Sequence, residues 1–552
     1  MGKETNKLQN IYDCIVVGSG MGGLTSAALL AKEGKSVLVV EQADKLGGFG
    51  QSYVENGFVF DYAIHSIASW GFVYDLLQEL GEKVENGVVS SRRGDHIIFR
   101  DEDYWATNVD HIVESLSGKF PDEKEHIESY FGDLVDVMTL VLEFNENPSF
   151  QLGAKISMRY SELLESTLEE VLDKYFDSKE LKALVYGTHD GYLYDYAWHY
   201  SAYHLFYIKY INDGHAVKGG SRYLVDAFER AIIKFNGDIL CNTMVKKIII
   251  ENGRACGVEL DNGQRINAKE AVISNADARL TFNKLLDINT MPVDIQESFR
   301  KWDEDGPSLS YYIVNLGLDI DVKKEYGMEY DLSVYFPSYD LPRVYKDINN
   351  GILPDDFWLW MVFPSVNDLT LAPEGCSTAI LAILVPYDIE KCTDNENNDY
   401  FDGYKSVNEK KSSYYLKKEE IEKKIIARAE EVFPGMGEHI VVKKTWTPQT
   451  LQEFTLNHMG STMGFRVEPP KDGEKKYLSK LGMDIKTSIQ GLYLVGGWSQ
   501  FGFATASVVQ SGRFAAYHIL NKELPKQAIS KITDRVISFN KKVGDFNNAT
   551  IE

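Results

Sequence analysis

The chain has 552 residues, 44% hydrophobic and 25% charged, enough for two or three domains with sizeable cores. Its 82 acidic side chains outnumber 58 basic ones and leave a formal charge of −24, which repels phosphate backbones and anionic lipid and argues against nucleic acid as a partner. No run of about eighteen apolar residues marks a transmembrane helix, Met1 to Asn10 lacks a secretory apolar core, and the five cysteines form neither a CxxC pair nor a metal-ligand cluster. A reduced, cytoplasmic setting is expected, with apolar contact to a membrane surface left open.

The first element predicted is a short strand, Asp13 to Val17, ending in Gly18-Ser19-Gly20-Met21-Gly22-Gly23. A helix follows from Leu24 to Glu33, then a strand from Ser36 to Val40 that ends in Glu41. This order carries a dinucleotide fingerprint. Gly18 allows the tight turn, Gly20 lets a pyrophosphate approach the backbone, and Gly23 lets the helix pack on the strand. The helix start offers free N–H groups and a partial positive charge. Glu41, 23 residues after Gly18, is placed to accept from a ribose. Glycines alone fit any helix-capping turn; that reading leaves Glu41 unexplained. A glycine pair, Gly47-Gly48, follows the acid, and a strand-and-turn, Gly491 to Gly497, precedes a helical run from Ala504 to Leu520. A cofactor held by both ends of the chain points to FAD rather than NAD.

Between these pieces, Lys218-Gly219-Gly220 leads into a helix that Ser221 is expected to cap, with Tyr223, Leu224, Ala227, Phe228, Ala231 and Ile232 at helical spacing. Strands are predicted at Asp238 to Leu240, Val245 to Ile250, Ala255 to Leu260 and Ala271 to Ile273, with turns at Asn252-Gly253 and Asn262-Gly263. The cofactor domain is therefore discontinuous: 11–70, 215–290 and 480–525. Two insertions, 71–214 and 291–479, form a substrate domain over it, and 526–552 is a peripheral tail. The polar stretch Asp394 to Ser413 reads as a surface loop, and a helix from Lys417 to Phe433 stops at Pro434-Gly435. No second glycine fingerprint marks a separate nicotinamide domain, so the electron partner is expected to be a quinone, oxygen or a reductase, or a nicotinamide met transiently.

Flavin chemistry asks the protein mainly to position substrate and exclude water, so no nucleophilic triad is expected, and the eleven histidines show no metal spacing. His65 is the candidate catalytic residue: it could protonate a polyene carbon or steady a developing cation. The competing reading is a packed histidine bonded to backbone. Tyr196, Tyr200, Tyr203, Tyr207 and Tyr210 recur at helical spacing and form a stripe that suits a tunnel for a long apolar substrate; an ordinary ring-packed core helix is the alternative.

Together these pieces, with Gly57 to His65, Gly257 to Gly263, Val272-Ile273-Ser274-Asn275-Ala276-Asp277, Pro364-Ser365, Pro373-Glu374-Gly375 and Gly460 to Gly464, resemble the phytoene desaturase superfamily of flavoproteins, which includes carotenoid isomerases and retinol saturases. The run Phe60 to His65 is most similar to the retinol saturase branch. Phe49 stands where many flavin amine oxidases carry arginine. The resemblance implies an α/β fold: a Rossmann-like, amine-oxidase-type FAD-binding domain with an inserted α+β substrate domain. It implies that Gly18, Gly20, Gly23, Glu41, Gly47 and Gly48 hold the ADP half of FAD, that Val245 meets adenine, and that Gly496 and Gly497 approach the pyrophosphate and ribityl chain. It places Ala63, Ile64, Phe503, Ala504 and Thr505 by the flavin ring. The activity implied is oxidoreduction at carbon–carbon bonds of an apolar polyene. The alternatives are a flavin amine oxidase and a non-catalytic protein that keeps the FAD fold.

Overall fold

The computed structural model describes residues 8–62, 70–83, 88–89, 95–146, 150–164, 166–189, 216–287, 291–305, 308–328, 330–389, 412–466, 482–500, 502 and 504–522. Strand β1 (Ile11–Val17) runs into helix α1 (Met21–Lys32), which returns to β2 (Val37–Val40). Helix α1 begins inside the glycine run, three residues before its predicted start. It is buried from Met21 to Ala31, which is why its sequence is rich in small apolar residues rather than amphipathic. A hairpin follows, β3 (Ser52–Glu55) and β4 (Phe58–Asp61), then α2 (Trp70–Glu79), β5 (Asp95–Phe99) and β6 (Asp103–Ala106). Five helices come next: α3 (Val109–Lys119), α4 (Lys124–Glu146), α5 (Phe150–Leu164), α6 (Leu168–Tyr175) and α7 (Lys179–Gly187).

The chain then gives α8 (Arg222–Lys234), β7 (Asp238–Leu240), β8 (Val245–Glu251), β9 (Arg254–Leu260) and β10 (Arg265–Ser274). Asn252 and Gly253 both take positive φ, 50° and 74°, the tight-hairpin geometry that an Asn-Gly pair favours. After α9 (Val293–Asp305) come β11 (Ser310–Leu318), β12 (Leu332–Phe336), α10 (Leu341–Asn349), β13 (Leu359–Val362) and β14 (Ser377–Val385). The remaining elements are α11 (Ser412–Glu430), β15 (Ile440–Trp446), α12 (Pro448–Thr455), β16 (Leu492–Leu494) and α13 (Thr505–Leu520).

Two seven-stranded sheets carry the fold. In the first the order is β8-β9-β10-β1-β2-β7, with β16 also paired to β10. Strand β10 serves three partners. Its first half runs antiparallel to β9, its second half parallel to β16, and its other edge parallel to β1. The centre of the parallel core, from Cys14 to Val17 of β1, all of β2 and Ala271 to Ile273 of β10, is apolar and buried, as a sheet covered on both faces demands. Helices α1, α8 and α13 cover one face. The second sheet, β15-β11-β14-β13-β12-β5-β6, is antiparallel except where β12 meets β5. Ile97, Val334, Trp360 and Ala382 bury one face in a core shared with α3 to α7, and α11 covers the other through Ile421, Ile425 and Ala429.

The hairpin β3-β4 joins the two layers. Asn315 on β11 donates through Nδ2 to the Tyr53 hydroxyl at 2.8 Å, and the Phe58 ring lies against Gly317. One expectation is corrected. Ser221 stands at the start of α8, but its hydroxyl does not cap the helix; it donates to Asp61 Oδ2 at 3.0 Å. Ser221 has helical φ/ψ (−59°, −24°) rather than the extended backbone of a capping residue, so its oxygen is not set to accept from the first turn. The tail 526–552 and the predicted loop from Asp394, up to residue 411, lie outside the described residues. Ser412 and Ser413 belong to α11.

Candidate active site

The C-terminal ends of β1 and β2 open into a cavity of about 400 Å³ whose walls include Gly18, Gly20, Glu41, Gly47, Gly48, Val245, Gly496, Gly497, Ala504 and Thr505. The chain's two ends meet there because Gly496 and the start of α13 follow β16, which pairs with β10 beside β1. Two helices begin at this wall, α1 at Gly20 and α13 at Ala504, and neither has a side-chain cap on its N-cap residue. Their first N–H groups have no intrahelical partners and form two anion-facing ends. Gly47 (φ 118°) and Gly496 (φ 92°) bring bare backbone to the same rim, in a conformation that other residues rarely adopt.

Glu41 is 8% exposed. Its Oε2 accepts from the Ser19 N–H at 2.7 Å and from the Ser19 hydroxyl at 2.6 Å, and Oε1 accepts from the Ala43 N–H at 2.9 Å. The carboxylate is thus pinned to the turn after β1, with lone pairs still available to a ribose. Gly23 does not line the cavity. A Cβ there would strike the Gly18 carbonyl and the Val16 side chain, so the glycine permits close helix–strand packing.

Gly20 is bare for a further reason. A Cβ on Gly20 would land on Nδ2 of Asn275, not in open space. Asn275, at the end of β10, also accepts the Gly23 N–H on Oδ1 at 2.9 Å and forms part of the cavity wall. In the sequence Asn275 stands only within the Val272 to Asp277 run, and nothing in its spacing announces that the end of this strand lies against a glycine turn 252 residues earlier. Ala63, Ile64, His65, Phe503 and the tyrosines Tyr196, Tyr200, Tyr203, Tyr207 and Tyr210 lie outside the described residues.

The cavity continues under the second sheet. Tyr311 and Ile313 of β11, Leu332 of β12, Trp360 and Val362 of β13 and Ala382 of β14 line it. Register explains the grouping: Ile313 pairs with Ala382, Ala382 with Trp360, and Leu332 with Val362, so these side chains share one face. The runs Tyr311 to Val314 and Leu359 to Val362 are apolar without a break, so the sequence does not tell which of their faces closes a cavity. Among the described residues the wall holds no Lys, Arg, His or Cys. Among the described residues the Thr462 hydroxyl, also in this wall, is buried without a hydrogen-bond partner.

Beside this seam four rings pack together. Tyr62 stacks on Phe454 at 4.4 Å and meets Trp446 at 4.6 Å and Tyr53 at 5.1 Å; only Phe454 of the four reaches the wall. Beneath them Asp61 is buried. Its Oδ1 accepts from the Ser52 hydroxyl at 2.6 Å and the Ser221 N–H at 3.0 Å. Burial pushes the carboxyl up to about 6, against the pull of the hydrogen bonds from Ser52 and Ser221. Asp61 thereby ties the hairpin to the start of α8.

A parallel nucleotide-type sheet with two uncapped helix starts, an acid at the second strand and a roofing antiparallel sheet defines the class. This is an oxidoreductase with a Rossmann-like domain, in the architecture of the FAD-dependent amine oxidases, and its donor set fits a flavin or other dinucleotide cofactor. A family described as the NAD(P)-binding Rossmann-like domain matches residues 16–80. The chain is 28% identical to prolycopene isomerase of Daucus carota over 92% of this chain and 80% of the relative. It is 27% identical to all-trans-retinol 13,14-reductase of Danio rerio over 98% and 91%. Among solved structures, putrescine oxidase bound to putrescine superposes with a TM-score of 0.60 at 16% identity, covering 93% of this chain and 99% of that one, a likeness of fold alone. The chain fits the carotenoid isomerase and retinol saturase superfamily. Among the described residues no helix is long and apolar enough to cross a membrane.

Proposed function

We propose that the protein is an FAD-dependent oxidoreductase that desaturates, saturates or isomerises carbon–carbon bonds of an apolar polyene such as a carotenoid, retinoid or unsaturated lipid. The observation that carries this reading is the single cavity joining a dinucleotide wing to an apolar chamber. FAD, when bound, supplies the capacity to accept or donate hydride. The chain's contribution is placement. Ile313, Trp360, Val362 and Ala382 offer flat, water-excluding walls to an unsaturated chain, and such positioning is worth several kcal/mol of barrier, on the order of that gained from oriented reactants. The wall's lack of described Lys, Arg, His and Cys side chains leaves the electron transfer to the cofactor. The carrot and zebrafish relatives are named for polyene substrates, which supports the same class here. His65, directly after the hairpin, is proposed as the residue that donates a proton or steadies positive charge, and the tyrosine stripe as further tunnel wall. A quinone, oxygen or a reductase is the proposed electron partner.

The test is anaerobic incubation of oxidised and reduced FAD-loaded protein with carotenoids, retinoids and unsaturated lipids. A mass change of two hydrogens in either direction, or an unchanged mass with a shifted isomer, assigns the reaction. No change with any polyene, together with amine-dependent peroxide release in air, rejects the reading in favour of an amine oxidase.

A further inference from the structure

The bareness of Gly20 serves Asn275. The amide of Asn275 is wedged among the glycines of both chain ends: a Cβ on Gly22 or on Gly496 would come within 2.9 Å of Oδ1, and a Cβ on Gly20 would displace Nδ2. The Gly23 N–H donates to Oδ1 at 2.9 Å. Only an acceptor can face that donor, so the orientation of the amide is fixed. Its NH2 group is therefore turned toward Gly20. There it lies in the cavity wall and donates to no described residue.

The surroundings say what it faces. A diphosphate brings negative charge, yet the described wall contains no Lys or Arg. The donors that the described wall offers are neutral: the first N–H groups of α1 and α13, and side-chain amides. Two of the other amides in the wall are already engaged. Gln51 Nε2 donates to the Lys45 carbonyl at 3.3 Å and Asn457 Nδ2 to the Ser461 carbonyl at 3.1 Å. Asn275 keeps both of its donors, beside the N-terminus of α1.

We propose that Asn275 is a cofactor-binding residue whose Nδ2 donates hydrogen bonds to the diphosphate of the bound dinucleotide, in the space that Gly20 leaves bare. This rests on the dinucleotide reading of the cavity and is independent of the polyene reading.

The test uses full-length apoprotein and Asn275→Asp. The carboxylate keeps the volume and an acceptor for the Gly23 N–H, but sets a negative charge against the diphosphate. The expected result is an unchanged thermal midpoint without ligand, and an FAD dissociation constant, read by quenching of flavin fluorescence, raised at least tenfold, or about 1.4 kcal/mol. ADP should compete less well by the same factor, whereas adenosine, which lacks the diphosphate, competes as before. Should Asn275→Asp not fold, Asn275→Ala is read by the rise in melting temperature on adding FAD, which should be smaller than in the wild type. A folded variant of either kind that binds FAD and ADP as tightly as the wild type overturns the proposal. Wild-type protein that binds neither ligand overturns the dinucleotide reading and this proposal with it.

Discussion

At Gly20 a missing Cβ decides which side chain may stand beside the diphosphate cradle. Gly20→Val would push the Asn275 amide aside and strain the turn after β1. The expected outcome is loss of FAD retention on gel filtration, with stability lowered by about 1–3 kcal/mol, as for overpacked sites generally. Retention of the pigment at wild-type affinity in the folded variant contradicts this. Asp61 makes a second single-residue prediction. Its carboxyl titrates near 6 in the folded chain and near 3.9 in an unfolded one, by the ordinary value for aspartate. Between those values the folded chain holds a proton that the unfolded chain has released. The stability involved is full below about pH 4 and is lost as pH rises through 6. Asp61→Asn should abolish that slope, on the order of 2–3 kcal/mol, in urea denaturation compared at pH 4.5 and 7.5. Parallel pH profiles for the two proteins would remove Asp61 as the source.

Among the elements, α1 and α13 cross where Gly512 lies directly on the Gly22 carbonyl. Gly512→Val should part the two helix starts, costing about 1–3 kcal/mol and lowering FAD occupancy of purified protein; full occupancy at unchanged stability would show that the crossing does not set the cradle. On the roofing sheet, Ala382 pairs with both Ile313 and Trp360. Ala382→Phe should fill the chamber, lowering kcat/KM for a polyene at least tenfold while leaving FAD affinity unchanged; equal effects on both would mean that the two wings are not separable. These elements also show what the sequence made legible. The unit from β1 to Glu41, the β8–β9 turn at Asn252-Gly253 and α13 were readable because local glycines, periodicity and turn chemistry specify them. The roof was not: Tyr311, Trp360 and Ala382 come from three strands whose register is a long-range property. The partners of Asn275 and Ser221 were not legible for the same reason, since Gly23 and Asp61 are remote in the chain.

For the molecule as a whole, the acidic surface and the split sheet matter most. With a formal charge of −24, self-repulsion opposes the compact state. Raising NaCl from about 20 to 300 mM shortens the screening length several-fold and should raise the thermal midpoint; a midpoint that falls or stays constant would mean the charges are already well paired. Among the described residues the polar ties between the two layers include Asn315 to Tyr53, the Gly219 N–H to the Asp368 carboxylate at 2.6 Å and the His458 N–H to the Asp277 carboxylate at 2.8 Å. Strand β10 has a consequence for biosynthesis. Half of one edge waits for residues 492–494, which are made long after β10 itself. Until they arrive, the nascent chain carries an unpaired parallel edge and only one of the two helix starts. The cavity wall is therefore complete only after this late pairing, and a chaperone that shields the edge until then should raise the yield of folded protein.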